Sequence, residues 1–220
     1  MRHTCTRLLM PSLAATRSVN ARYKPSYLPV AVITGGTSGI GKHLAQAIAK
    51  YTKGNAHIIL IGRNEAVAKD IIESFPKPSG PDAQPDWKHE FIHCDAAVMK
   101  NVRATCKSIS SRVARVNFLV LSHGRIDFNG RNETEEGIDV HMATRYYSRW
   151  VFIQELLPLL RNAGNARQKA SVLSILGAGW GLKIDLDDLD LKKKYTGIRC
   201  ALDTVTYNDL MTVVCATSFV

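Results

Sequence analysis

Eight residues constrain this chain more than any others: Thr34-Gly35-Gly36-Thr37-Ser38-Gly39-Ile40-Gly41. They follow Pro29 and a short apolar run, Val30-Ala31-Val32-Ile33, which reads as a buried strand. After them Ile40, Leu44 and Ile48 recur at four-residue spacing, with Ala45 and Ala49 beside them, the pattern of a helix face that Gly54 is placed to stop. A glycine-rich turn between a strand and a helix gathers main-chain amides and a helix N-terminus at one point, with no side chain in the way. A dinucleotide pyrophosphate requires that arrangement. An ordinary glycine-rich turn is the plainer reading. A second strand, Ile58-Ile59-Leu60-Ile61, follows at about the interval that favours the nucleotide.

The pattern continues. Residues 66–75 read as a second helix, and Pro76, Pro78, Pro81 and Pro85 mark a loop over 76–87. Phe91 to Cys94 reads as a third strand, Val98, Val102, Ile109 and Val113 as a third helix face, and Phe118 to Leu121 as a fourth strand. Met142, Tyr146, Trp150, Ile153, Leu157 and Leu160 form a long helical stripe, with Thr134 placed to cap its helix. Val172 and Leu173 fall in a fifth strand. Strands alternating with helices predict an α/β Rossmann-type fold, a doubly wound parallel sheet in three α/β/α layers. No repeat or linker divides the chain, so we expect a basic disordered leader over 1–28 and one domain over 29–220.

Composition narrows the partners. No apolar run approaches the ~20 residues that span a bilayer. The five cysteines are odd in number and none sits at CxxC spacing, which points to a reducing compartment and away from a zinc site. The formal charge of +10 would attract nucleic acid or anionic lipid. Part of it, however, sits in a tail with Arg2, Arg7, Arg17, Arg22 and Lys24 and no acid before Glu65. Basic residues are not interleaved with aromatic ones, so no nucleic-acid partner is expected. The tail has the composition of a mitochondrial transit peptide but a weak helical period. The expected location is cytoplasmic, with mitochondrial as the alternative.

The spacing TGxxxGxG resembles that of the short-chain dehydrogenase/reductase family, and the resemblance runs from about Val30 to Met211. It implies cofactor contacts at Gly35, Thr37, Ser38, Gly39, Ile40 and Gly41. Strand two ends Ile61-Gly62-Arg63-Asn64, without the acidic residue that holds the ribose 2′-hydroxyl in NAD-preferring folds. Arg63, with Asn64 beside it, offers a planar cation for a 2′-phosphate, so the expected cofactor is NADP. A solvated loop arginine is the plainer reading. Asp95 matches a family aspartate that meets the adenine ring; on the residues alone it serves equally as a helix cap. The family's NNAG is matched by Leu121-Ser122-His123-Gly124, which places Ser122 and Gly124 near the cofactor and puts His123 in place of alanine. His123 is either a proton-transfer group or a loop histidine without chemistry. Arg145 stands where the family often has an asparagine.

Ser174-Ile175-Leu176-Gly177 matches the family's SxxG, whose serine donates to the substrate carbonyl as charge develops there. A tyrosine four positions before a lysine should follow, because a phenol needs a nearby cation to exchange its proton at neutral pH. Tyr207 is the expected residue, at the head of a helix, but its lysine position holds Met211. Tyr195 has Arg199 at that spacing, with Gly197 weakening the helix between. The resemblance thus implies an oxidoreductase passing hydride between NADP(H) and a small carbonyl or alcohol, with a non-catalytic NADP-binding protein or fragment as the alternative. Asp185, Asp187, Asp188 and Asp190 lack the glycine and distal glutamate of a calcium loop and read as a solvated loop, with no metal. Only residues 212–220 follow Met211, crowded with β-branched side chains that argue against a continuing helix. We expect a truncated or mis-spliced end that leaves an apolar sheet edge open. In the intact family this region supplies substrate wall and dimer face, so a homo-oligomer stays open.

Overall fold

The computed structural model describes residues 11–81, 83–125, 130–177 and 179–218. Residues 1–10 of the expected leader and residues 219–220 of the expected non-helical end lie outside the described residues. Five strands, β1 (Val30–Thr34), β2 (His57–Gly62), β3 (Lys88–His93), β4 (Phe118–Leu121) and β5 (Ser171–Ser174), form one sheet in the order β3-β2-β1-β4-β5. Every neighbouring pair is parallel. Residues of β1 alternate between the two faces, as the pleat dictates. Val30 and Val32 pack with α4 (Met99–Ser110) and α6 (Ser148–Asn165), while Ala31 and Ile33 pack with α2 (Gly39–Tyr51) and α3 (Glu65–Glu73). With both faces covered, the central strands read as unbroken apolar runs. The three expected layers are present.

Several elements differ from expectation, each for a physical reason. On α2 the buried face is Gly41, Ala45 and Ala49, while Ile40 is 61% exposed. The helix lies close to the sheet and admits only small side chains there. The long helix begins as α5 (Val140–Met142), passes through a π-helical turn at Ala143–Tyr147, and continues as α6. The extra residue in that turn shifts the phase of the face. The buried line downstream is therefore Arg149, Phe152, Leu156 and Leu160, while Trp150 and Leu157 are only partly covered. Asp139, not Thr134, caps the helix, its Oδ1 accepting from the amides of His141 (3.0 Å) and Met142 (3.1 Å).

Residues 212–218, expected to be non-helical, complete the long helix α7 (Gly197–Ser218). The β-branched penalty is only tenths of a kcal/mol per residue, and burial of Met211 with partial burial of Cys215 outweighs it. Gly197, expected to weaken a helix, opens this one, and the Thr196 hydroxyl accepts from the Arg199 amide at 3.0 Å. Tyr207 lies inside α7 and not at its head. Within the expected disordered leader, Leu13–Ala21 form a helix, α1, that buries none of its residues. Asp188 is not solvated: it is 6% exposed and accepts from the amides of Lys192, Lys193 and Lys194. Val172 and Leu173 on the outermost strand β5 are 41% and 48% exposed.

Asn117 aligns the starts of three strands. It is fully buried, its Oδ1 accepts from the Val30 amide (2.9 Å), and its Nδ2 donates to the Lys169 carbonyl (2.9 Å). Its own amide donates to the Val30 carbonyl and its carbonyl accepts from the Ser171 amide, both at 2.9 Å. Replacing Asn117 by alanine strands a buried donor and acceptor. Urea unfolding of Asn117→Ala should show a loss of about 1–3 kcal/mol with an unchanged m-value.

Candidate functional site

A cavity of about 570 Å³ opens above the carboxyl ends of the strands. Its floor is the turn joining β1 to α2. Gly35 has φ +70° and Gly39 has φ +52°, both in the left-handed region that glycine adopts without strain. A Cβ on Gly35 would sit 2.7 Å from the His123 amide nitrogen, and one on Gly41 would strike the Gly35 carbonyl and the Ser122 hydroxyl. At Gly39 nothing lies within 4 Å, so that glycine faces open space. Ser38, the residue preceding α2, makes no side-chain capping bond. The first-turn amides are thus left for an external acceptor.

Of the residues expected at the cofactor, Gly35, Thr37, Ser38, Gly39, Ile40, Arg63, Asp95, Ser122 and Gly124 line this cavity. Gly41 does not: it is buried beneath the turn, where it lets α2 approach. Asn64 does not either. Its Oδ1 accepts from the Val67 amide at 3.0 Å as the cap of α3. Asp95 lines the cavity, and its Oδ1 accepts from the Ala97 amide at 3.0 Å in the turn that follows β3; it does not cap α4, which Val98 precedes. Ser122 donates to the Thr34 carbonyl at 2.8 Å, joining the ends of β1 and β4.

His123 is neither free nor peripheral. Its Nδ1 lies 2.5 Å from the Thr34 hydroxyl and its Nε2 lies 2.8 Å from the Ser148 hydroxyl. Burial first, and the Arg149 charge second, hold its pKa well below the usual histidine range, so the ring is neutral. A neutral imidazole donates at one nitrogen and accepts at the other. His123 thus ties the glycine turn to α6.

The expected catalytic pair is not brought together at the cavity. Ser174 stands just outside its lining, next to Ile175, and its Oγ accepts from Arg149 at 2.7 Å. Tyr207 lies elsewhere, 9% exposed and tilted 59° against the Tyr146 ring (centroids 5.3 Å apart), with its hydroxyl donating to the Leu189 carbonyl at 3.0 Å. Burial, then the charge of Asp203, pushes its pKa up to about 12, the wrong direction for proton exchange at neutral pH. Tyr195 also turns away, donating to Asp139 at 3.3 Å. The sequence reading missed Arg149, which is 1% exposed and lies at the ends of β4 and β5. An arginine inside an apolar helical stripe was the available signal.

Comparison with known proteins agrees with this architecture. Residues 29–177 match the family described as short chain dehydrogenase. Oxidoreductase AN1596 of Emericella nidulans is 36% identical over 201 residues, covering 91% of this chain and 57% of that protein. This chain thus spans little more than half the length of that relative. Among solved structures, the Pseudomonas aeruginosa RhlG/NADP active-site complex aligns with a TM-score of 0.62 at 19% identity, over 86% of this chain and 66% of that one. A putative short chain dehydrogenase from Escherichia coli CFT073 complexed with NADPH aligns with a TM-score of 0.62 at 18% identity, over 87% and 71%. The matched strand–turn–helix core and the relative's identity place the chain in one group: it belongs to the short-chain dehydrogenase/reductase family.

Proposed function

We propose that this chain binds NADP(H) and serves hydride transfer between that cofactor and a small carbonyl or alcohol. The observation that carries the reading is that an exposed guanidinium, Arg63, lines the same cavity as a glycine-rich turn and an uncapped helix start. The turn would hold the pyrophosphate on main-chain amides. Arg63 would clamp the 2′-phosphate, and Asp95 stands where the adenine end would lie. The bound nicotinamide would supply the hydride. Ser174 is the nearest of the expected donors for the substrate oxygen. Two related structures bound to NADP or NADPH support the choice of cofactor.

A second reading has its own observation. Tyr207 is outside the cavity and Met211 stands where a lysine would lower a phenol's pKa. This favours a chain that binds the cofactor without turning it over. A panel of aldehydes and ketones with NADPH separates the two: turnover supports the first, tight binding without turnover the second.

Two substitutions test the cofactor site. Arg63→Asp should weaken NADPH by about ten- to hundredfold, the size of a lost charged hydrogen bond, with NADH little changed; parallel fluorescence titrations would measure this, and equal losses for both cofactors would defeat the assignment. Gly41→Ala adds a methyl where the Gly35 carbonyl already sits. It should lower unfolding stability by about 1–3 kcal/mol, as overpacking does, and weaken NADPH by displacing the turn.

A further inference from the structure

Arg149 is a buried cation with no ion pair to an acid among the described residues. Its Nη1 donates to the Leu121 carbonyl (2.8 Å) and Ser174 Oγ (2.7 Å), and its Nη2 donates to the carbonyls of His123 (2.5 Å) and Ile175 (3.1 Å). All four acceptors are neutral, and Nε is buried without a partner. The charged side chain that acts on it most is Arg145, which repels it. Buried charges are ordinarily paired, so an unpaired one at a ligand cavity calls for an explanation.

Its position supplies one. The guanidinium binds the carbonyls at the ends of β4 and β5, directly behind His123 and Ile175, which line the cavity. Arg63 and Asp95 lie at the β2–β3 side of that cavity, with the glycine turn between. A dinucleotide with its pyrophosphate on the turn and its 2′-phosphate on Arg63 must direct its nicotinamide toward β4 and β5. The oxidised nicotinamide ring is a cation and the reduced ring is neutral. A fixed positive charge nearby therefore penalises the oxidised form alone.

Resting on the cofactor reading above, we infer that Arg149 biases binding toward NADPH over NADP⁺, so that the loaded site presents the reduced ring, the form that a carbonyl compound would meet. Lysine at 149 would preserve the bias, methionine would remove it, and a carboxylate at position 174, against the guanidinium, would neutralise it. Arg149 is in this view a positioning and charge-setting residue that need not touch the substrate.

The experiment needs no known substrate. Calorimetric titration of the full chain with NADPH, NADP⁺ and 2′,5′-ADP, which lacks the nicotinamide, gives three dissociation constants for each variant. The wild type should favour NADPH over NADP⁺ by about tenfold, the scale of a repulsion between partly screened charges. Arg149→Met and Ser174→Asp should each collapse that ratio toward one while leaving 2′,5′-ADP binding unchanged, and Arg149→Lys should retain it. Ser174→Asp keeps the guanidinium and its carbonyl bonds, so it carries the test if Arg149→Met does not fold. A wild type that binds NADP⁺ as tightly as NADPH, or a ratio that survives in Ser174→Asp, overturns the inference. Binding of 2′,5′-ADP with no discrimination between the two cofactors would sink it alone, whereas failure to bind any of the three would take the cofactor assignment down with it.

Discussion

Contact between Gly41 on α2 and the Gly35 carbonyl at the end of β1 sets the geometry on which the rest of the molecule depends. No side chain of any size fits between them, because a Cβ at Gly41 would meet both that carbonyl and the Ser122 hydroxyl. The helix start is consequently pressed against the strand ends, and α2 buries Gly41, Ala45 and Ala49 on the sheet with Leu44 and Ile48 partly buried beside them. Ser122 then bridges back to the Thr34 carbonyl, so β1, β4 and α2 converge on one small volume. Close approach gives the turn its amides and also leaves Gly39 facing empty space. The same steric requirement that packs the core therefore shapes the cavity floor.

A second layer of order is polar. Thr34, His123 and Ser148 form a chain of short contacts between β1 and α6, and Arg149 binds four neutral oxygens at the ends of β4 and β5. Parallel strands end in carbonyls that no further strand residue satisfies. A guanidinium, with five donors in a rigid fork, meets several of them at once, which a lysine could not do. Burial keeps His123 neutral, and that choice adds to it. A second positive charge beside Arg149 would add repulsion to the cost of desolvation.

The fold was legible because its signals are local. β1, β2 and β4 show as short apolar runs, whereas β3 starts at Lys88, three residues before the run expected at Phe91–Cys94, and β5 offers only Val172 and Leu173; the turn chemistry of residues 34–41 needs no distant partner to be read. Positions fixed by packing were harder. The stripe expected on the long helix holds at Met142, Ile153 and Leu160 but not at Trp150 and Leu157, because the π-turn at 143–147 shifts its phase, and nothing in the composition of Ala143-Thr144-Arg145-Tyr146-Tyr147 announces such a turn. The end of α7 was misread because propensity was weighed without the burial of Met211. Most residues expected at the cofactor line one cavity, since they belong to the same local motifs. Asn64 and Gly41 were the exceptions, having adjacent but structural duties.

The acid–base pair fared worst, and the reason is physical. Spacing in a sequence places a tyrosine on a helix but does not say which way that helix turns. Tyr207 packs against Tyr146 and gives its proton to a backbone carbonyl, with an apolar cluster of Met142, Leu191 and Cys200 around it. Such surroundings raise a phenol's pKa, and Met211 supplies no charge to oppose them. A buried cation, Arg149, enters from the other helix and reaches Ser174 instead. Accepting from a guanidinium leaves the serine proton free to point elsewhere and makes the hydroxyl a better donor. The buried guanidinium and the Ser174 hydroxyl thus meet at the end of β5, while Tyr207 is engaged in packing.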